Sequence, residues 1–281
     1  MKAKITTLLF TLLLLSACVR TDTTVNPPLV AHNAQDNRSE EQARETLRET
    51  FIEVFWHNVF LDAGLPSYIA DNIKKAALEG PEFLIDLIVI LQQDPYTYIL
   101  VDKEHSLPIT YEPDDLVPLR AGSFRISRND LALRRMAVDA LEEMAEAALR
   151  DGISLVVGST YRSGLYQEEV YERWVRQLGR QEADRISARP GHSQHQLGLV
   201  VDFVPIDPSF AATPAAAWLK ENAAAYGWSL SYPEGYEHIT GYSYESWHYR
   251  YVGKELAEFI DMYFDGIQQY ALLFIQAWQN N

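Results

Sequence analysis
Cysteine is nearly missing from this 281-residue chain: Cys18 stands alone, so no disulfide can form within it. Positive charge is short as well, with 24 Lys and Arg against 39 Asp and Glu and a net charge of −15. Surfaces that bind duplexes cluster cations to release counterions from phosphates. No Lys/Arg run of that kind occurs, which argues against nucleic acid as a partner. An acidic body also repels an anionic membrane surface unless something tethers it. Long apolar runs are lacking too: the stretch over residues 5–15 has 11 residues, about half of the ~20 that span a bilayer. Internal repeats and low-complexity tracts are absent. What is plentiful is core material, 47% hydrophobic and 12% aromatic residues. That excludes disorder, collagen-like and coiled-coil classes as the main description. The length accommodates about two domains or one large one.

Lys2 and Lys4 precede the short apolar stretch, and small residues follow it in Leu15-Ser16-Ala17-Cys18. That pattern describes an export signal and not a membrane-spanning helix. It resembles a bacterial lipoprotein signal, in which the cysteine becomes the first mature residue and carries lipid. An ordinary secretory signal with a free thiol is the alternative. The resemblance implies a signal over residues 1–17 and lipidation at Cys18. It also implies export and a lipid anchor to the bacterial cell envelope, on its periplasmic or extracytoplasmic side. Stable anchoring takes more than one acyl chain, so the implied anchor is multi-chain. Residues 18–38 are polar, aperiodic and contain Pro27-Pro28, as expected of a flexible tether.

Ser39 with Gln42 forms a capping-box pattern. Ala43, Leu47, Phe51, Phe55 and Val59 then recur every four residues, with Val54 alongside, which predicts an amphipathic helix. Asp62-Ala63-Gly64-Leu65-Pro66 breaks it. A second helix is predicted over 67–78 and a third from Glu82. Residues 39–93 therefore read as an all-helical N-terminal module without chemistry of its own, suited to packing on the main domain or on a protein partner the sequence does not identify. After Asp94-Pro95 the composition changes, and Tyr96 to Val101 reads as a strand. Further on, helices are predicted over 130–150 (capped by Asn129), 163–178, 215–226 and 254–278, and strands over 153–157 and 198–204. No regular βαβ beat is present. The prediction for residues 94–281 is an α+β domain with a small, mainly antiparallel sheet flanked by helices.

Three places carry chemistry. In the segment 191–202 (GHSQHQLGLVVD), His195 stands at a strand entrance and Asp202 within an apolar strand. Alternation places Val200, Asp202 and Val204 on one face, and a carboxylate there must be paired, hydrogen-bonded or metal-bound. In the segment 244–250 (YESWHYR), Glu245 and His248 lie three apart. In Ser159-Thr160-Tyr161-Arg162-Ser163, a charged residue follows a buried strand directly. Two imidazoles and a carboxylate make a zinc site with a fourth position open to water. The cation lowers that water's pKa towards ~7, and a carboxylate outside the ligand set can act as general base. On this reading His195, Asp202 and His248 are the ligands and Glu245 is the base. Each element also fits a plain structural role: a hydrogen-bonded core histidine, an ion-paired aspartate, a solvated Glu245–His248 helix pair. With 7 His in the chain, some spacing arises by chance.

The order Ser193-x-His195-x-x-Gly198-x-x-x-Asp202, then Glu245-x-Trp247-His248, resembles the zinc D-alanyl-D-alanine carboxypeptidases of the VanY type, grouped with the bacterial L,D-carboxypeptidases. The resemblance runs over about residues 95–260. It passes through Leu107-Pro108, Tyr161-Arg162-Ser163 and Gln167 to Trp247-His248-Tyr249-Arg250. It implies Zn2+ held by His195, Asp202 and His248, with Glu245 as catalytic base. It further implies Arg162, Gln167 and Ser193 as substrate contacts, Arg162 also gripping either the terminal carboxylate or the oxyanion. Tyr161 and Trp247 line the pocket or belong to the core. His192 stands where an aromatic is usual, Leu197 replaces the usual Thr and Ser246 the frequent Pro. His192 thus shapes the pocket or competes as a ligand. The implied substrate is a peptidoglycan stem peptide ending in D-alanine. The rivals are L,D-carboxypeptidase activity on tetrapeptide stems and a non-catalytic, lipid-anchored binding module with structural zinc.

Overall fold
A computed structural model describes residues 52–281, together with Thr46 and Thr50. The expected signal, Cys18, the tether and the Ser39–Gln42 pair lie outside the described residues. Among the described residues no helix is long and apolar enough to cross a membrane.

The chain is α+β. Its sheet has five strands in the order Arg125–Ile126, Val156–Ser159, Val200–Phe203, His248–Tyr251 and Trp228–Leu230. All neighbours are antiparallel except the first pair, which is parallel. Leu199, Val201 and Phe203 face the first core, where they meet Leu141, Met144 and Ala148 of the helix Arg135–Arg150. Asp202 and Val200 therefore face the other way, as strand alternation requires. A second core lies between helices. Residues 52–63, Ser67–Glu79 and Glu82–Leu91 contribute Val59, Ile69, Ile73, Phe83 and Leu87. The closing helices Lys254–Tyr263 and Gln268–Asn280 contribute Phe259, Ile260, Phe274 and Ile275. The described N-terminal helices and the C-terminal helices thus share one core, and residues 52–281 form one compact unit.

Several predicted elements need correction. Residues 96–101 are not a strand. Asp94 accepts a hydrogen bond from the Tyr96 N–H at 2.9 Å and starts a short helix, Pro95–Tyr98, with Pro at its first position. The carbonyls of Tyr96, Thr97 and Ile99 then turn onto Nη2 of the fully buried Arg250, at 2.8–3.2 Å. A capping residue plus a buried cation outweighs local β-propensity. The helix expected from Asp130 begins at Arg135. Ala132–Arg134 is instead a strand paired with Leu116–Pro118, and Arg134 is anchored to Asp94 and Asp115 at 2.7 Å each. The strand placed at 153–157 lies at Val156–Ser159. The helix predicted over 215–226 gives way to a 3-10 turn after Asn222. The closing helical region is two helices, broken where Asp265 and Gly266 take left-handed φ of 57° and 72°. Val54 is 53% exposed and not on the buried face.

Candidate active site
The sheet register assembles the site. Asp202 is paired across the central strand with His248 on one side and with Ser159 on the other, next to a bulge. Residues directly opposite on antiparallel strands have Cβ atoms about 5 Å apart, so the 45 residues of intervening chain cost nothing in reach. His195 arrives differently. It sits in the 3-10 turn Gln194–Leu197, just before the central strand. Ser193 caps that turn by accepting the His195 N–H at 3.3 Å, and Gly198 closes it in the left-handed region.

His195 Nε2 lies 3.1 Å from Asp202 Oδ2, and His248 Nδ1 lies 3.1 Å from Asp202 Oδ1. Glu245 Oε2 is 3.3 Å from the same His248 nitrogen. His195, Asp202 and His248 are buried at 3–5% exposure. They each offer a ligand atom within 4.8 Å of the others, and among the described residues no other such group of three exists. His195 Nδ1 is 2.7 Å from the Thr160 carbonyl. A carbonyl only accepts, so Nδ1 carries the proton and the Nε2 lone pair faces Asp202. Asp202 Oδ1 receives no hydrogen bond from the protein. A buried carboxylate whose two oxygens each face one imidazole nitrogen, and whose Oδ1 has no donor, is part of a donor set that a divalent cation satisfies.

The electrostatics agree. Burial works to raise the Asp202 carboxyl, but the flanking imidazoles of His195 and His248 hold it well below its ordinary range. Burial pushes His195 down to about 4 and pushes Glu245 up. Burial also opposes charge on His248, yet Asp202 and Glu245 outweigh it and raise the ring to about 9. Two carboxylates inside the protein draw positive charge into the cluster.

Arg162 approaches Asp202 Oδ2 to 4.0 Å. Its Nη1 donates to Gln167 Oε1 at 2.7 Å and its Nη2 to Ser159 Oγ at 3.1 Å. Gln167 is fully buried and donates in turn to the Ala188 carbonyl at 2.6 Å. It therefore holds Arg162. Ser193 is 3% exposed and serves as the turn's cap. Tyr161 is half-buried and its hydroxyl has no partner. Trp247 packs partly buried against the first core. His192 is directed away, its Nδ1 2.7 Å from the Asp102 carbonyl, so it takes no part in the cluster. The Glu245–His248 pair is not a solvated helix pair: His248 opens a buried strand. Sequence reasoning missed Thr160, whose backbone carbonyl leaves no side-chain signal, and Gln194, which lies beside His195 in the motif and contacts His248 Nε2 at 3.3 Å.

Residues 130–254 match the family model VanY, D-alanyl-D-alanine carboxypeptidase. The carboxypeptidase-type protein YodJ of Bacillus subtilis (strain 168) is 32% identical over 233 residues, 80% of this chain and 82% of YodJ. Among solved structures, the LD-carboxypeptidase LdcB is 35% identical with a TM-score of 0.55, over 62% of this chain and 89% of LdcB. A vancomycin-resistance D,D-pentapeptidase VanY, crystallised as a mutant in complex with Zn(II), is 31% identical with a TM-score of 0.51, over 61% of this chain and 96% of that one. Sequence order, sheet register and the His–Asp–His cluster with its neighbouring glutamate converge on one conclusion: the chain belongs to the VanY family of D-alanyl-D-alanine carboxypeptidases.

Proposed function
We propose that the protein is a zinc carboxypeptidase that removes the C-terminal D-alanine from peptidoglycan stem peptides. The observation that carries this reading is the buried convergence of His195 Nε2, Asp202 and His248 Nδ1, with Glu245 3.3 Å from that His248 nitrogen. His195, Asp202 and His248 would hold the ion. Bound zinc supplies Lewis acidity towards a carbonyl and a lowered pKa for water. Glu245 takes the proton of the attacking water and returns it to the leaving amine. Arg162, fixed by Gln167 and Ser159, offers a planar cation to the substrate's terminal carboxylate or to the developing oxyanion. Ser193 and Gln167 serve the substrate through the turn they cap and the guanidinium they hold.

Glu245→Gln tests the assignment. Stoichiometric zinc should remain while turnover falls about 10³-fold, within the usual range for a general acid–base group. Near-normal turnover excludes the role. A glutamate placed for proton transfer also argues against the binding-module reading, since structural zinc requires no base. The likeness to LdcB favours keeping L,D-carboxypeptidase activity as a second reading. Mass spectrometry of products from pentapeptide and tetrapeptide stems separates the two. Release of D-alanine from the pentapeptide alone supports D,D specificity.

We also propose export and lipid anchoring at Cys18, supported by the basic start, the short apolar stretch and the position of the single cysteine. Labelled palmitate incorporated by cells expressing the wild type, and lost in Cys18→Ala, is the expected result.

A further inference from the structure
A buried polar path leads away from the site to the C-terminal helix. His248 turns Nδ1 towards Asp202 and Glu245 and places Nε2 3.3 Å from Gln194 Oε1. Gln194 Oε1 also accepts from Ser231 Oγ at 2.7 Å, and Gln194 Nε2 donates to Gln268 Oε1 at 3.5 Å. Gln268 Nε2 donates to the Ser229 carbonyl at 3.2 Å. Gln194, Ser231 and Gln268 are each 1–2% exposed.

Ser231 Oγ also lies 3.3 Å from Gln268 Oε1, and the donors and acceptors along the path have a consistent arrangement. The Ser229 carbonyl can only accept, so Gln268 presents its amide nitrogen there and its oxygen to Gln194. Gln194 must then present its nitrogen to Gln268 and its oxygen to the histidine ring. In its neutral, metal-binding form His248 consequently carries its proton on Nε2 and turns the Nδ1 lone pair towards Asp202 and Glu245. Gln268 is the first residue of the helix Gln268–Asn280 and lies beyond the 130–254 segment that matches the family model.

We propose that Gln268 and Gln194 are positioning residues, an amide relay from the Ser229 carbonyl that fixes the tautomer and orientation of His248 for metal binding. The inference rests on the reading of His248 as a zinc ligand. Outer partners of metal-bound histidines commonly contribute about 10–100-fold in metal affinity. In a buried network of this kind each bond also polarises the next. The C-terminal helix is then part of what sets zinc affinity, and not only core filling.

The test is the zinc dissociation constant of the full chain, measured by competition with a chromophoric chelator. Melting of the metal-free proteins reads folding independently. Gln194→Met and Gln268→Met keep side-chain length and apolar packing but remove the amide. Gln194→Met should weaken zinc binding about 10–100-fold, and Gln268→Met several-fold in the same direction. Gln194→Glu, whose carboxylate still accepts from Nε2–H, should stay within a few-fold of wild type. Ser231→Ala, which removes the hydroxyl donor to Gln194, is the milder break if Gln268→Met does not fold, and should also weaken binding. Unchanged zinc affinity in folded Gln194→Met and in folded Gln268→Met or Ser231→Ala overturns the relay while leaving the zinc reading intact. A wild type that takes up no stoichiometric zinc overturns both.

Discussion

The guanidinium of Arg162 is held on two edges, by Gln167 Oε1 and by Ser159 Oγ. Lysine is a point donor and cannot reproduce that fork. Arg162→Lys should therefore lower kcat/KM on a stem peptide about 10–100-fold, the worth of one or two charged hydrogen bonds. A rise in KM alone places Arg162 on the terminal carboxylate, and a loss in kcat places it on the oxyanion. Lys103 gives a pH-dependent prediction. Its Nζ donates to the Asp184 carbonyl and lies 3.6 Å over the Tyr242 ring. Burial lowers it from 10.5 to about 8, against the opposing pull of Asp184. Between those values the unfolded chain binds more protons than the native one, so Lys103 makes stability rise with pH from about 8 to 10.5. Below that window both states are protonated and the burial penalty is fully present. Lys103→Met should remove this rise, so that wild type gains on the variant in melting temperature between pH 7.5 and pH 10. A constant difference refutes it. At this scale the sequence was readable for charged side chains in apolar company, such as Asp202. It was silent on backbone acceptors such as the Thr160 carbonyl.

The turn Gln194–Leu197 depends on its two ends, the Ser193 cap and Gly198. Gly198 has φ +67°, and a Cβ there would lie 2.9 Å from the Leu116 side chain and 3.1 Å from that of Arg134. Left-handed backbone costs an L-residue roughly 1–2 kcal/mol, and the crowding adds to it. Gly198→Ala should lower the melting temperature and, by shifting His195, weaken zinc binding together with it; a variant matching wild type in both would show that the turn tolerates a side chain. Helices with strong periodicity, such as 67–79 and 82–91, were legible because their buried residues repeat along one face. The strand His248–Tyr251 was not, because four residues flanked by strands on both sides and almost wholly buried show no alternation. Residues 96–101 misled for a related reason. Their β-branched and aromatic content is real, but Asp94 and Arg250 decide where the backbone groups go.

The two cores of the 52–281 unit divide the labour between chemistry and support. Phe274 is fully buried in the second core, beside Trp56, Phe60, Phe83, Phe264 and Trp278. Phe274→Ala should cost about 3–5 kcal/mol and lower the melting temperature by about 10 °C. Turnover at low temperature should persist, since Phe274 touches none of the site residues in those ring contacts. Loss of turnover in a still-folded variant would show that the two cores are more tightly coupled than that.

Residue order alone shows which side chains are available for chemistry: two histidines, a strand aspartate, a glutamate three residues from the second histidine, and an arginine after a buried strand. It also settled the α+β class, because hydrophobic periodicity is a local property of the chain. That Asp202 faces His248 and that Gln268 reaches Gln194 emerges with the folded chain. Register, tautomer and amide orientation are pairings between distant segments. They are fixed by sheet hydrogen bonds and by the need to satisfy every buried donor and acceptor at once.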